Sequence, residues 1–162
     1  MINKYKHKTI ALLIVLGTSS SFASSVENQA QVTAEIQNSC ILTTPLNLNF
    51  DYDNLNGHQV QQAMGIKCTR GSNYKVVLDY GINGSEQKRR LNNNINGDLL
   101  NYQIYKKSES LVIGDGLNNT YAFEGIYSSQ QELLLEMDIK VTSGQFVASG
   151  LYTDTVVASI EY

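Results

Sequence analysis

The chain of 162 residues has no tryptophan, one proline, two cysteines and two histidines. The shortage of histidine and cysteine limits the chemistry that it could perform. His58 is the single histidine after residue 23, and no G-x-S-x-G nucleophile motif accompanies it, so a Ser-His-Asp triad is not expected. The two cysteines lack the C-x-x-C spacing of redox and zinc sites. We therefore predict that the protein is not an enzyme and has no metal site and no cofactor.

Long hydrophobic runs are also missing, except near the N-terminus. Lys4, Lys6 and Lys8 precede the apolar run from Ile10 to Leu16, which is too short to span a bilayer, and Ser21-Phe22-Ala23 has the small residues of a signal-peptidase site. This pattern predicts a signal peptide over residues 1–23 and export of the remainder. We expect no stable membrane insertion.

Clustered positive charge is scarce. Removal of the three lysines in residues 1–23 changes the net charge of −3 to about −6, which argues against nucleic acid as a partner. The one dense basic cluster, Lys88-Arg89-Arg90, lies in the polar stretch from Gly81 to Gly97. We interpret that stretch as a long loop, too polar to be buried, and the cluster as a solvated surface.

The two cysteines, Cys40 and Cys68, both lie in the segment expected to be exported. An even number of cysteines in an oxidising compartment favours a disulfide bond. In the chain-entropy model, closing a loop of this length contributes about 3–4 kcal/mol of stability. We predict a Cys40–Cys68 disulfide.

The chain is rich in short segments that alternate apolar and polar residues between polar turns. Such alternation is typical of strands with one buried face. We predict strands over Val60–Cys68, Tyr74–Tyr80, Leu99–Tyr105, Gln131–Val141 and Tyr152–Tyr162. Leu134 interrupts the alternation and leaves a helix possible there, but the downstream Val141-Thr142 favours a strand. Together the segments predict one all-β antiparallel sandwich.

The two ends of the exported chain both alternate. In the final segment one side carries Tyr152, Val156, Ala158, Ile160 and Tyr162. Ahead of the first cysteine, the apolar positions of a further potential strand are Val26, Ala30, Val32, Ala34 and Ile36. A strand in this position could belong to its own domain or be donated to a neighbouring molecule.

Several motifs, in a fixed order, resemble one family. They are the run Cys68 to Asp79, Gly81-Ile82-Asn83-Gly84 followed by Arg89-Arg90-Leu91, Leu100 to Tyr105, Gly114-Asp115-Gly116, and the ending Gly150 to Val156. This order is similar to the spore coat U domain, which is shared by secreted spore coat proteins and the pilin subunits of archaic chaperone–usher pili. The family tends to have Phe-Gly followed by Tyr after the first cysteine, where this chain has Phe50-Asp51-Tyr52.

The resemblance implies an incomplete immunoglobulin-like sandwich, over residues 38–162, that lacks its last strand. It also implies that residues 24–37 are a donor strand that completes the sandwich of a neighbouring subunit. The partners implied are other pilin subunits of the same or a related kind, a periplasmic chaperone and an outer-membrane usher. Such a protein would pass through the periplasm to a surface pilus that serves adhesion or biofilm formation.

Two alternatives remain open at the level of sequence. A secreted coat or matrix protein of the same fold would close its own sandwich with the N-terminal segment. A small exported enzyme or carbohydrate-binding module could use some of the ten tyrosines as a binding surface, although their positions in predicted strands favour packing.

Overall fold

A computed structural model describes residues 24–43, 52–85 and 87–162. The predicted signal peptide, and Phe50 and Asp51 of the family motif noted above, lie outside the described residues. The chain divides into two units, Met1–Glu35 and Ile36–Tyr162. In the first unit, residues 24–35 have no regular secondary structure and are exposed. Throughout the described ranges, no helix is long and apolar enough to cross a membrane.

Within the described residues, the second unit contains nine strands in two sheets. The strands are β1 (Cys40–Leu42), β2 (His58–Cys68), β3 (Asn73–Leu78), β4 (Arg89–Asn93), β5 (Leu99–Lys106), β6 (Phe123–Ile126), β7 (Leu133–Val141), β8 (Tyr152–Thr153) and β9 (Ala158–Glu161). The larger sheet has the order β1-β2-β7-β5-β4-β8, and the smaller sheet has the order β6-β3-β9. All the pairs between these strands are antiparallel. The prediction of an all-β antiparallel sandwich is confirmed.

The core forms where the inward residues of the two sheets meet. Alternate positions of β7 are buried from Leu135 to Val141, and β3 contributes the fully buried Val76 and Leu78. This is the period-two burial that the alternation predicts. Residues 133–141 form a strand, so the helix that the sequence left possible there is not found.

The long strands give the second unit two ends, which we name by their contents. The disulfide pole holds the Cys40–Cys68 bond and the connections at residues 69–72 and 127–132. The loop pole holds the connections at residues 52–57, 93–98 and 142–151, beside the paired residues His58 and Val141. β2 has 11 residues and joins the two poles over about 33 Å.

The expectation of a solvated loop from Gly81 to Gly97 is wrong, because β4 lies within it and Arg89 is completely buried. The Arg89 guanidinium donates to the carbonyls of Asp79 at 2.6 and 2.9 Å and of Ile113 at 2.8 Å, and to Gln103 Oε1 at 2.9 Å. It also lies over the Tyr80 ring, 5.2 Å from the centroid. These acceptors replace water around the charge, so a polar sequence can run through the interior.

Candidate functional site: the gap between two sheet edges

The last strand of the chain, β9, is an edge of the smaller sheet, and β1 is an edge of the larger sheet. In the part of the chain that the structure describes, β9 pairs with β3 and β1 pairs with β2, but the two edges do not pair with each other. They are nevertheless close neighbours across the domain. Two adjacent edges that present unpaired backbone groups can accept an additional strand.

The side chains beside this gap are incompletely covered. Val156, Ala158 and Ile160 face the core and pack against it, yet each is only half-buried, and Leu42 on β1 is half-buried as well. Val76 is paired with Ile160 on the neighbouring strand and is fully buried. The apolar face of the smaller sheet is therefore covered at β3 but partly exposed to solvent at β9.

The predicted strand from Tyr152 to Tyr162 is two short strands in different sheets. Tyr152 lies in β8, paired with Asn93, and its hydroxyl donates to the Ala148 carbonyl at 2.7 Å. Val156 lies between β8 and β9, Ala158 and Ile160 lie in β9, and Tyr162 follows β9 and is exposed. The predicted alternation is present from Tyr152 to Ile160, but the chain crosses from one sheet to the other within it.

Two aspartates explain the crossing. Asp154 accepts hydrogen bonds from the Asn83 backbone N–H at 3.2 Å and from the Tyr102 hydroxyl at 2.7 Å. Asp79 Oδ1 accepts from the Val157 N–H at 2.9 Å. The carbonyls of Thr155 and Val157 also accept from the backbone N–H groups of Ile82 and Asp79, at 3.1 and 3.0 Å. The backbone between β8 and β9 is therefore bonded to the segment after β3 where it leaves one sheet and enters the other.

The predicted donor residues fall in both units. Val26, Ala30, Val32 and Ala34 lie in the first unit, and Ile36 lies at the start of the second. All five are exposed, and none lies in a strand. Their role as a donor strand stays a prediction.

The predicted disulfide is present between Cys40 and Cys68, which face each other in the β1–β2 pair. Next to it, the Thr69 hydroxyl donates to the Gln37 carbonyl at 3.1 Å and the Thr69 N–H donates to the Ser39 carbonyl at 2.8 Å. The disulfide and these two bonds hold the end of the N-terminal segment at the disulfide pole.

Two other kinds of site would be a cluster of metal-binding side chains or an open depression on the surface. Within the described ranges, no group of three or more His, Cys, Asp or Glu side chains could hold a metal ion. An open depression of about 690 Å³ lies beside β3, β6 and β9 and includes Tyr74, Lys75 and Tyr162. It contains no nucleophile paired with a base.

Comparisons with known proteins agree with this geometry. The family model described as Spore Coat Protein U domain matches residues 26–159. No curated protein matches the chain. A chain from a crystal structure of the CsuC–CsuE chaperone–tip adhesion subunit pre-assembly complex, from archaic chaperone–usher Csu pili of Acinetobacter baumannii, is similar with a TM-score of 0.56 and 22% identity. The similarity covers 78% of this chain and 40% of that chain, and it supports the fold.

Proposed function

This chain belongs to the Spore Coat Protein U domain family, and we propose that it is a structural subunit of a surface pilus assembled by the chaperone–usher pathway. The observation that carries the proposal is the gap beside β9, where apolar side chains of the core remain half-exposed next to an unpaired sheet edge. An edge of this kind tends to pair with another chain unless it is covered.

The N-terminal segment has the composition that would fill the gap. A strand inserted there needs apolar side chains at alternate positions, and residues 26–36 supply them at all such positions except Asn28, namely at Val26, Ala30, Val32, Ala34 and Ile36. Full burial of each of the three larger side chains contributes about 1.5–3 kcal/mol, and the alanines contribute less. Backbone hydrogen bonds to β9 and β1 add further stability and fix the register.

The proposed partners are those that the family resemblance implies, and the gap gives each of them a physical role. A subunit with an uncovered apolar edge would aggregate before assembly, so a periplasmic chaperone would have to cover it and an outer-membrane usher would have to catalyse the exchange. The similar solved structure is a chaperone–subunit complex of a chaperone–usher pilus, which supports this assignment. Export through the periplasm, residues 24–37 as the donor strand, residues 38–162 as the pilin domain, and a role in adhesion or biofilm formation belong to the proposal.

A matched pair of substitutions tests the donor strand. Val32→Asp places a charge in the gap, whereas Thr33→Asp places the same charge on the opposite side of the strand. We expect wild type and Thr33→Asp to form multimers that persist in detergent at room temperature and dissociate on heating. Val32→Asp and a deletion of residues 24–37 should give no such multimers on gel electrophoresis of unheated samples.

The same experiment separates the alternatives. A wild-type monomer that stays monomeric at high concentration, and is destabilised by the deletion, would indicate that the segment closes its own sandwich, as in a coat or matrix protein. Multimers that persist in Val32→Asp would contradict the proposed donor strand.

A further inference from the structure

The loop pole carries the four most exposed large apolar side chains of the described residues from Cys40 to Tyr162. Among the described residues after β1 begins, Phe146 is 94% exposed, Ile95 is 92% exposed, and Leu55 and Leu151 come next. They come from three separate connections, at residues 52–57, 93–98 and 142–151. Contiguous exposed apolar side chains commonly mark an interaction surface.

These three connections are fastened to one another. The Gly144 N–H donates to the Asn54 carbonyl at 2.7 Å, and the Ala148 N–H donates to Asp98 Oδ2 at 2.9 Å. The Gln145 side chain bonds both the N–H and the carbonyl of Asn101, at 2.8 and 2.9 Å. The apolar side chains therefore project from a supported surface rather than from independent loops.

The opposite pole is where the N-terminal segment leaves the domain. The Gln37 carbonyl is bonded to Thr69, so Ile36 is separated from the disulfide pole by a single peptide bond. As an extended strand, residues 26–36 would span about 33 Å, which matches the length of β2. If the segment occupies the groove of a neighbour, its own disulfide pole must lie directly against whichever end of that groove receives Ile36.

Strand direction selects the end. β9 is antiparallel to β3 and runs toward the disulfide pole, with Glu161 opposite Lys75. A donor strand that is antiparallel to β9, and therefore parallel to β1, starts at the disulfide pole of the acceptor and ends at its loop pole. Ile36 then reaches the loop pole, at the end of the groove where β9 begins.

On the basis of the proposed function, we infer that the loop pole is a second contact between subunits, covered by the disulfide pole of the copy whose N-terminal segment fills the groove. The loop pole carries Asp53 and Asp98, and the connections of the disulfide pole carry Arg70 and Glu132. Arg70, in the exposed turn after Cys68, is the cation available to pair with an aspartate at the rim of the contact.

Photo-crosslinking within assembled fibres tests the contact. A photoreactive amino acid replaces Phe146 in the full-length protein, and the matched variant carries it at Leu117, which is also exposed but lies outside the loop pole. We expect irradiated fibres to give covalent dimers and longer ladders, after heating, from position 146 and not from position 117. Mass spectrometry should place the crosslinks at residues 69–72 or 128–131 of the neighbouring copy.

The outcomes distinguish this contact from donor-strand exchange itself. Fibres that form normally but give no crosslink from position 146 would overturn the pole contact and leave the proposed function intact. Crosslinks from position 146 to the loop pole of another copy would overturn the head-to-tail direction. If the wild-type protein forms no fibres, the result contradicts the proposed function itself, and the pole contact with it.

Discussion

Replacement of the buried Arg89 provides a direct test of how the polar region around β4 is stabilised. Arg89→Met keeps a long side chain of similar volume but removes every donor. It leaves the carbonyls of Asp79 and Ile113 and the amide oxygen of Gln103 without the bonds that they accept at 2.6 to 2.9 Å. Each buried acceptor that loses its partner costs about 1–3 kcal/mol.

An opposing contribution reduces this cost. Burial lowers the pKa of Arg89, which means that the surroundings disfavour its charge, and methionine relieves that penalty. Substitution of a buried ion pair by apolar residues can be neutral when both partners are replaced, but here the acceptors are fixed backbone groups and stay in place. We expect a net loss of about 3–5 kcal/mol, which is a large part of the 5–15 kcal/mol typical of a domain.

Urea unfolding of the purified full-length protein, followed by far-ultraviolet circular dichroism, measures this loss. With an m-value of about 1–3 kcal/mol/M, the midpoint should decrease by roughly 1–5 M. Arg90→Met is the matched control, because Arg90 is the next residue and its side chain lies on the opposite face of β4. Equal midpoints for Arg89→Met and Arg90→Met would refute the reasoning.

Two further predictions concern a turn and a buried hydroxyl. Gly57→Ala should lower the free energy of unfolding by about 1–3 kcal/mol, because φ is +68° and the new Cβ would lie 2.6 Å from the Val141 carbonyl oxygen. Gly71→Ala is the matched control: φ is +90° but the new Cβ would lie in open space, so the loss in the same urea assay should be about 1 kcal/mol. Burial and the hydrogen bond to Asp154 raise the pKa of the Tyr102 hydroxyl above 10.0. The hydroxyl therefore ionises more readily in the unfolded chain, so the free energy of unfolding should decrease above about pH 10. Tyr102→Phe should weaken that decrease in thermal melts. A steeper decrease in the variant would contradict the assignment.

The elements that the sequence predicts well are those with several apolar residues on one face. β2, β5 and β7 each present apolar side chains to the core at alternate positions, and their predicted bounds agree with the structure within about two residues at most ends. β6 was not predicted, because Phe123 is its single buried side chain. Alternation needs several residues on one face before it can be recognised.

The sequence could not reveal β4 or the crossing between β8 and β9, for a related reason. Arg89 and Asn93 are buried polar residues, and their burial depends on acceptors that only the folded chain brings together. The crossing depends on Asp154, whose partners Asn83 and Tyr102 lie far away in the sequence. Hydropathy records the residue itself and contains no information about a distant partner.

The two edges of the smaller sheet differ in a way that indicates where an additional strand would be added. On β6, the inward positions are Phe123, which is buried, and Gly125, which has no side chain to cover. On β9, the inward positions are Ala158 and Ile160, and both remain half-exposed although they pack against the core. An edge with its apolar side chains covered gains little from a further strand, whereas each additional Å² covered beside Ile160 contributes about 25 cal/mol. The free energy available from strand addition is therefore concentrated at β9, which is the edge that adjoins β1.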